Sequence, residues 1–243
     1  MSDILIFITA TIHCGDTPHV KRTDPEQRTQ DYLTAFRKWL SLEADADIVF
    51  CENSNADLAR FREVALQHKG RNKVRILTFA GNVGAQLKGK GYGEIEMLQH
   101  ALNTVPGMKD YRYIVKVSGR YVEFNGEKLV RLIAGMSSDL ICDIHSNLTY
   151  GDTRTVAFTP KVLLEHLIPY QEELDENRGI IIEHLMAKCL HRTLIAGGTW
   201  SPLPCTPYSD GISGSWNIPQ RASLLYRFKQ DVKRAIAKWI YRY

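Results

Sequence analysis

The chain is poor in the residues that staple small proteins or hold zinc. Its five cysteines, Cys14, Cys51, Cys142, Cys189 and Cys205, are scattered, odd in number and free of any Cys-x-x-Cys pair. That argues against a disulfide framework and for a reducing compartment. No His-Glu-x-x-His or comparable ligand spacing occurs, so a zinc site is not expected. Long hydrophobic runs are also missing. The opening MSDILIFITATIHCGD turns polar after one short apolar stretch and has no basic region ahead of it. It is too short for a membrane span and has the wrong form for a signal peptide. There is no internal repeat and no low-complexity linker. Excess charge is scarce too: the net value is +4. Arg221–Tyr243 holds seven Lys/Arg against one Asp, a surplus of six, which leaves the rest of the chain at −2. A nucleic-acid-binding body is not implied by a near-neutral domain with one cationic tail.

What is present is ordinary globular material. The 243 residues are 44% hydrophobic and 24% charged, enough to bury a full core without staples. Strand and helix patterns alternate over the first half. Ile4–Ala10, Asp47–Asn53, Val74–Ala80 and Tyr111–Val117 read as strands. Thr29–Leu42, Ala56–His68 and Glu94–Val105 carry apolar residues at helical spacing. This order predicts an α/β fold, a mostly parallel sheet with helices on both faces, whose ligands sit beyond the carboxyl ends of the strands. The second half is less regular: Ser137–Asn147 reads as a strand, Phe158–Tyr170 and Asn177–Leu190 as helices, and Gly197–Asn217 as loop. The division predicted is one domain over residues 1–218 and a C-terminal helix over 219–243.

Four groups of residues could carry chemistry. The stretch NVGAQLKGKGYGEIEML (Asn82–Leu98) has glycines at 89, 91 and 93 beside Lys88 and Lys90, which suits a loop approaching a phosphate. It matches neither the dinucleotide fingerprint nor a complete P-loop, because Gly91 stands where Ser or Thr should hold magnesium. The stretch YIVKVSGRYVEFN (Tyr113–Asn125) ends a strand in Lys116, Ser118 and Arg120. Alternation puts these on one face, where lysine offers a point charge and arginine a fork. Among the acids and histidines that follow, Asp143, His145, Asp152, Glu183, His184 and Asp210, Glu183 interrupts the apolar run GIIIEHLMAKCL. A carboxylate there is expected to have a raised pKa and to accept a proton; Asp143 is the second candidate. Finally, Leu225, Phe228, Val232 and Ile236 recur at helical spacing through the basic tail. That is the pattern of an amphipathic helix for an anionic membrane surface, too charged to span a bilayer.

Taken in order, QRTQDYLTAFRKWL, DIVFCENSNADL, GKGYGEIEMLQHAL, YIVKVSGRYVEFN and SDGISGSWN resemble bacterial glycosyltransferases of the GT-A-like kind. These build surface polysaccharides such as the O-antigen of lipopolysaccharide or capsule. The resemblance spans roughly Ile4–Asn217. It implies a nucleotide-sugar donor as co-substrate and a saccharide acceptor, often lipid-linked, at the inner face of the cytoplasmic membrane. It puts Thr9 and Arg28 near the nucleotide, Glu52 and Asn53 against base or ribose, and Lys90, Gly91 and Glu94 beside the donor sugar and phosphates. One departure matters. Many such enzymes carry Asp-x-Asp at the end of the fourth strand to hold a divalent ion, and here that position reads Lys116-Val117-Ser118-Gly119-Arg120. The expectation is therefore transfer without a metal cofactor, with cations receiving the leaving group and the anomeric centre inverted. A sugar nucleotidyltransferase and a non-catalytic, membrane-attached binding module are the alternatives.

Overall fold

A computed structural model describes residues 2–221, 223, 225, 228–232 and 236. Strand β1 (Ile4–Ala10) is buried along its whole length, as a central strand covered on both faces must be. Helix α1 (Pro25–Leu40) starts earlier than the apolar spacing suggests. Asp24 caps it by accepting the Gln27 N–H at 2.7 Å, and Pro25 takes a first-turn position that needs no N–H. Then come β2 (Asp47–Glu52), α2 (Ala59–Leu66) and β3 (Val74–Thr78). The stretch expected as a glycine-rich loop is instead two helices, α3 (Val83–Lys88) and α4 (Lys90–Thr104). They break at Gly89, whose φ of 111° is open to glycine and strained for other residues.

Strand β4 (Tyr113–Ser118) is followed by β5 (Val122–Glu123), α5 (Gly126–Ala134) and a short β6 (Leu140–Ile141). The strand expected over Ser137–Asn147 shrinks to β6, and the expected helix from Phe158 is preceded by β7 (Thr155–Phe158). A short α6 (Pro160–Val162) opens irregular helical turns reaching Glu173, and α7 (Ile182–Ile195) follows. The expected loop of residues 197–217 contains β8 (Trp200–Ser201) and β9 (Ser209–Ile212). Pro219–Arg221, expected to open the C-terminal helix, is a strand, β10, because its backbone pairs antiparallel with β9. Most of the remaining basic tail lies outside the described residues.

The main sheet runs β3-β2-β1-β4-β7-β6-β8, and β5, β9 and β10 form a smaller one. Strands β1 to β4 are parallel, while β7 is antiparallel to both β4 and β6. This is the mixed α/β architecture expected, with a mainly parallel seven-stranded sheet. Period-2 alternation along β1 sends Ile4, Ile6 and Ile8 to one core with Tyr32, Phe36 and Trp39 of α1. It sends Leu5 and Phe7 to the other, with Ile95 and Leu98 of α4 and Leu185 of α7. Phe50 of β2, fully buried, stacks on Phe61 with ring centroids 4.5 Å apart. Truncating such a ring costs about 3–5 kcal/mol. Both faces are thus locked, and chemistry is left to the strand ends.

Candidate functional site

Strand β4 stops where the chain turns through Ser118–Tyr121, with the Tyr121 N–H donating to the Ser118 carbonyl at 3.2 Å. Gly119 lies so close to β1 that a Cβ there would stand 2.5 Å from the Thr9 carbonyl oxygen. The glycine between the two cations is required by this approach, in which its N–H donates to that same oxygen at 3.0 Å. Lys116 shares the α4-facing side of the sheet with Ile114, as alternation predicts. It is only 3% exposed; its ammonium donates to the Thr153 carbonyl at 2.7 Å and forms an ion pair with Glu94 of α4. An ammonium in an apolar wall needs such an anion, and removing one partner of a buried pair costs about 3–5 kcal/mol. Lys116 is therefore committed to the protein. The expectation that it waits as a free phosphate-binding charge is corrected.

Arg120 differs. Its guanidinium lies against the backbone of Gly214, where a Cβ would overlap it, and its Nη1 is buried with no hydrogen-bond partner. Nearby, Lys90 at the start of α4 donates to the Ser215 hydroxyl at 2.6 Å. The turn after β9 thus lies over both cations. It is tied down in turn by the Lys21 and Arg22 N–H groups, which donate to the Gly214 carbonyl at 2.8 and 3.1 Å. Glu183, in the first turn of α7, feels the charges of Lys90, Glu94 and Lys116. Its Oε2 is buried without a hydrogen-bond partner, and burial pushes its carboxyl above the usual range. This is the environment the sequence suggested for a proton acceptor.

Other expected contacts turn inward. Glu52 is fully buried, and its carboxylate accepts from the N–H groups of Ile12 (2.9 Å), Ser54 (3.0 Å) and Ala56 (3.1 Å) and from the Thr78 hydroxyl (3.0 Å). It organises the loops at the ends of β1 and β2 and has no edge left for a base or ribose. Asn53 is equally buried and accepts the Thr11 hydroxyl at 2.6 Å. Arg28 spends its guanidinium on the Thr11 and Arg22 carbonyls, at 2.7 and 2.8 Å, and on the Tyr32 hydroxyl. Thr9 donates to the Val117 carbonyl at 3.3 Å. The N–H of Gly91 is taken at 2.9 Å by Glu176, a buried carboxylate whose pKa burial pushes up. The protein's own anion thus caps α4 where a phosphate was expected. Gly91 is there for packing, since a Cβ would come within 2.6 Å of Ile182. Ser118, half-buried, closes the strand by donating its N–H to the Arg154 carbonyl at 2.9 Å.

Asp143 is separate from this cluster. Its carboxylate accepts the Leu203 N–H at 3.1 Å and lines a cavity of about 500 Å³ with Glu123, Asp152 and Arg154. His145 packs against Tyr150 at a tilt, and Tyr150 also meets His184 edge-on. Glu123, missed in the sequence, is 4% exposed and its Oε2 has no hydrogen-bond partner. The signal was a lone acid between Val122 and Phe124 in a strand-like run. Among the described residues, no group of three or more His, Cys, Asp or Glu is arranged to hold a metal ion.

No family model and no curated protein matches the chain. Similarity is found among solved structures. The glycosyltransferase GlyE of Streptococcus pneumoniae TIGR4 aligns at 8% identity over 84% of this chain and 46% of its own, with a TM-score of 0.49. The mannosyltransferase PcManGT of Pyrobaculum calidifontis, in complex with GDP-Man and Mn2+, aligns at 10% identity over 84% and 55%, with a TM-score of 0.48. A putative glucose-1-phosphate thymidylyltransferase of Bacillus anthracis aligns at 10% identity over 97% and 95%, with a TM-score of 0.47. The chain spans about half the length of the first two. At these identities and scores, no residue role is transferred from any of them.

Proposed function

We propose that the protein is a glycosyltransferase that moves a sugar from a nucleotide-sugar donor to a saccharide acceptor, with side-chain cations in place of a divalent ion. The observation that carries this reading is the unpartnered Nη1 of Arg120, with Lys90 nearby under the same turn, beyond the carboxyl ends of β1 and β4. Ligands of α/β sheets bind at such strand ends. A guanidinium nitrogen without a protein partner is suited to a phosphate oxygen. Donor phosphates would take Lys90 from the Ser215 hydroxyl and accept from Arg120 Nη1 once the turn at Gly214 that covers it moves aside. Lys116 serves indirectly, by holding Glu94 in place.

In the step proposed, an acceptor hydroxyl oxygen bonds to the anomeric carbon as the carbon–oxygen bond to the phosphate breaks. The electron pair leaves on the phosphate oxygen, which Arg120 and Lys90 neutralise, and the hydroxyl proton goes to Glu183. One displacement inverts the centre. Replacing Glu183 by Gln is expected to lower transfer at least about 100-fold, the usual worth of a general base, while donor binding persists. Equal transfer by wild type and variant removes Glu183 from the mechanism. Release of pyrophosphate from a nucleoside triphosphate and a sugar phosphate would instead establish nucleotidyl transfer.

The proposal extends to surface-polysaccharide synthesis on a lipid-linked acceptor at an anionic membrane. In support, Leu225, Phe228, Val232 and Ile236 are exposed apolar residues in a basic segment. Among the described residues no helix is long and apolar enough to cross a membrane. Co-sedimentation with anionic but not zwitterionic vesicles is expected; equal recovery with both would count against the tail's role.

A further inference from the structure

Residues 213–218 join β9 to β10 as the tip of a hairpin in which Ile212 faces Pro219 and Gly211 faces Gln220. The tip is bonded within itself. The Ser213 N–H donates to the Ile218 carbonyl at 2.9 Å, the Asn217 N–H to the Ser213 carbonyl at 2.8 Å and the Trp216 N–H to the Ser213 hydroxyl at 3.3 Å. Asn217 has a φ of 54°, a left-handed conformation that asparagine tolerates. These local bonds let the tip keep its shape and move as one piece.

Its ties to the rest of the protein are polar. The Gly214 carbonyl accepts from the Lys21 and Arg22 N–H groups, and the Ser215 hydroxyl accepts from Lys90. The Asn217 side-chain oxygen accepts from Arg22 Nη1 at 3.2 Å, and the Lys21 ammonium lies 5.4 Å from the centre of the Trp216 ring. Arg22 is anchored in turn by Asp31, at 2.6 Å. Trp216, Asn217 and Ile218 are exposed, so apolar burial does little to hold this end of the tip down. What the tip covers opposes its seat. Under Gly214, Arg120 Nη1 is buried without an acceptor, and an unmet guanidinium N–H disfavours the closed position. A phosphate oxygen supplies that acceptor only when the tip has lifted. A ligand that binds one position alone shifts the population toward it.

We infer that residues 213–218 form an autoinhibitory strap. Seated on Lys21 and Arg22, it shuts an anion site made by Arg120 and Lys90; a phosphate-bearing ligand holds it off by binding when it is lifted. Calling that ligand the nucleotide-sugar rests on the glycosyltransferase reading. The strap and its anion site do not.

Hydrogen exchange followed by NMR on the full chain, with inorganic pyrophosphate in magnesium-free buffer, tests it. The Lys21 and Arg22 amides report on the strap, because both donate to Gly214. Pyrophosphate is expected to speed their exchange in wild type while the amides of β1 stay protected. Ser215→Ala/Asn217→Ala removes two of the ties. It is expected to bind pyrophosphate about fivefold tighter or more, and to speed the same two amides by a similar factor without ligand. Tighter binding with both amides unchanged would mean that Lys90 was freed under a seated turn, and would overturn the inference. So would pyrophosphate binding to wild type with both amides still protected, or no pyrophosphate binding by either protein. If the double variant fails to fold, the wild-type exchange decides alone. Nucleotide-sugar stabilisation, measured in parallel, separates the two readings. Opening by pyrophosphate without stabilisation by any nucleotide-sugar would uphold the strap and reject the donor site. Stabilisation with both amides unmoved would do the reverse.

Discussion

Glu123 shows what one residue's surroundings do to its chemistry. Its carboxyl is raised from 4.5 to about 7, mainly by burial. Between these values the folded protein holds a proton that the unfolded chain has lost. Stability is therefore fully present below about 4.5 and declines as pH rises through 7, by about 3 kcal/mol if nothing relaxes. Replacing Glu123 by Gln should flatten that decline, making the variant relatively more stable at pH 8 than at pH 4.5. Chemical denaturation across this range checks it; parallel curves for the two proteins would show that Glu123 titrates normally. Sequence pattern singled out Glu183 because it breaks an apolar helix. It passed over Glu123 because a two-residue strand gives no periodicity to break. It found Lys116 and Arg120 together, but the partner that ties up Lys116 is Glu94, on another element.

At the scale of elements, the glycines of α4 explain the largest misreading. GKGYGE suggests a loop approaching a phosphate, and glycine is a poor helix former, disfavoured by about 1 kcal/mol relative to alanine. Tertiary packing overrides that preference, because Gly91 and Gly93 let α4 approach Ile182 and Asn53 closely. Gly91→Ala should accordingly destabilise the fold by about 1–3 kcal/mol, although helix propensity alone predicts a gain. A raised melting temperature for the variant would mean that α4 and α7 are not in close contact. Long periodic elements such as α1 and β1 were legible, as was the order of the first four strands. The short strands β6, β8, β9 and β10 were not, since each is stabilised by pairing with a remote partner and carries little local signal.

For the molecule as a whole, the parallel half of the sheet follows from alternating patterns, whereas the return of residues 213–217 onto Lys90 and Arg120 does not. That contact joins segments far apart in the sequence, and only the folded chain brings the turn over the two cations. Of the residues expected from sequence at the donor, the proposal retains Arg120 and Lys90. Thr9, Arg28, Glu52 and Asn53 instead bond to neighbouring backbone and loop groups of the protein. The account's central claim is that side-chain positive charge at the end of β4 receives the donor's phosphates. Thermal denaturation of wild type and Arg120→Ala against a panel of nucleotide-sugars, with and without EDTA, tests it directly. A donor at one hundred times its Kd adds about 2.7 kcal/mol, a rise of about 5–10 °C for a chain of this size. The account predicts such a rise for at least one donor with wild type, unchanged by EDTA and lost in Arg120→Ala. A rise that needs a divalent ion, or one that Arg120→Ala retains in full, would contradict it.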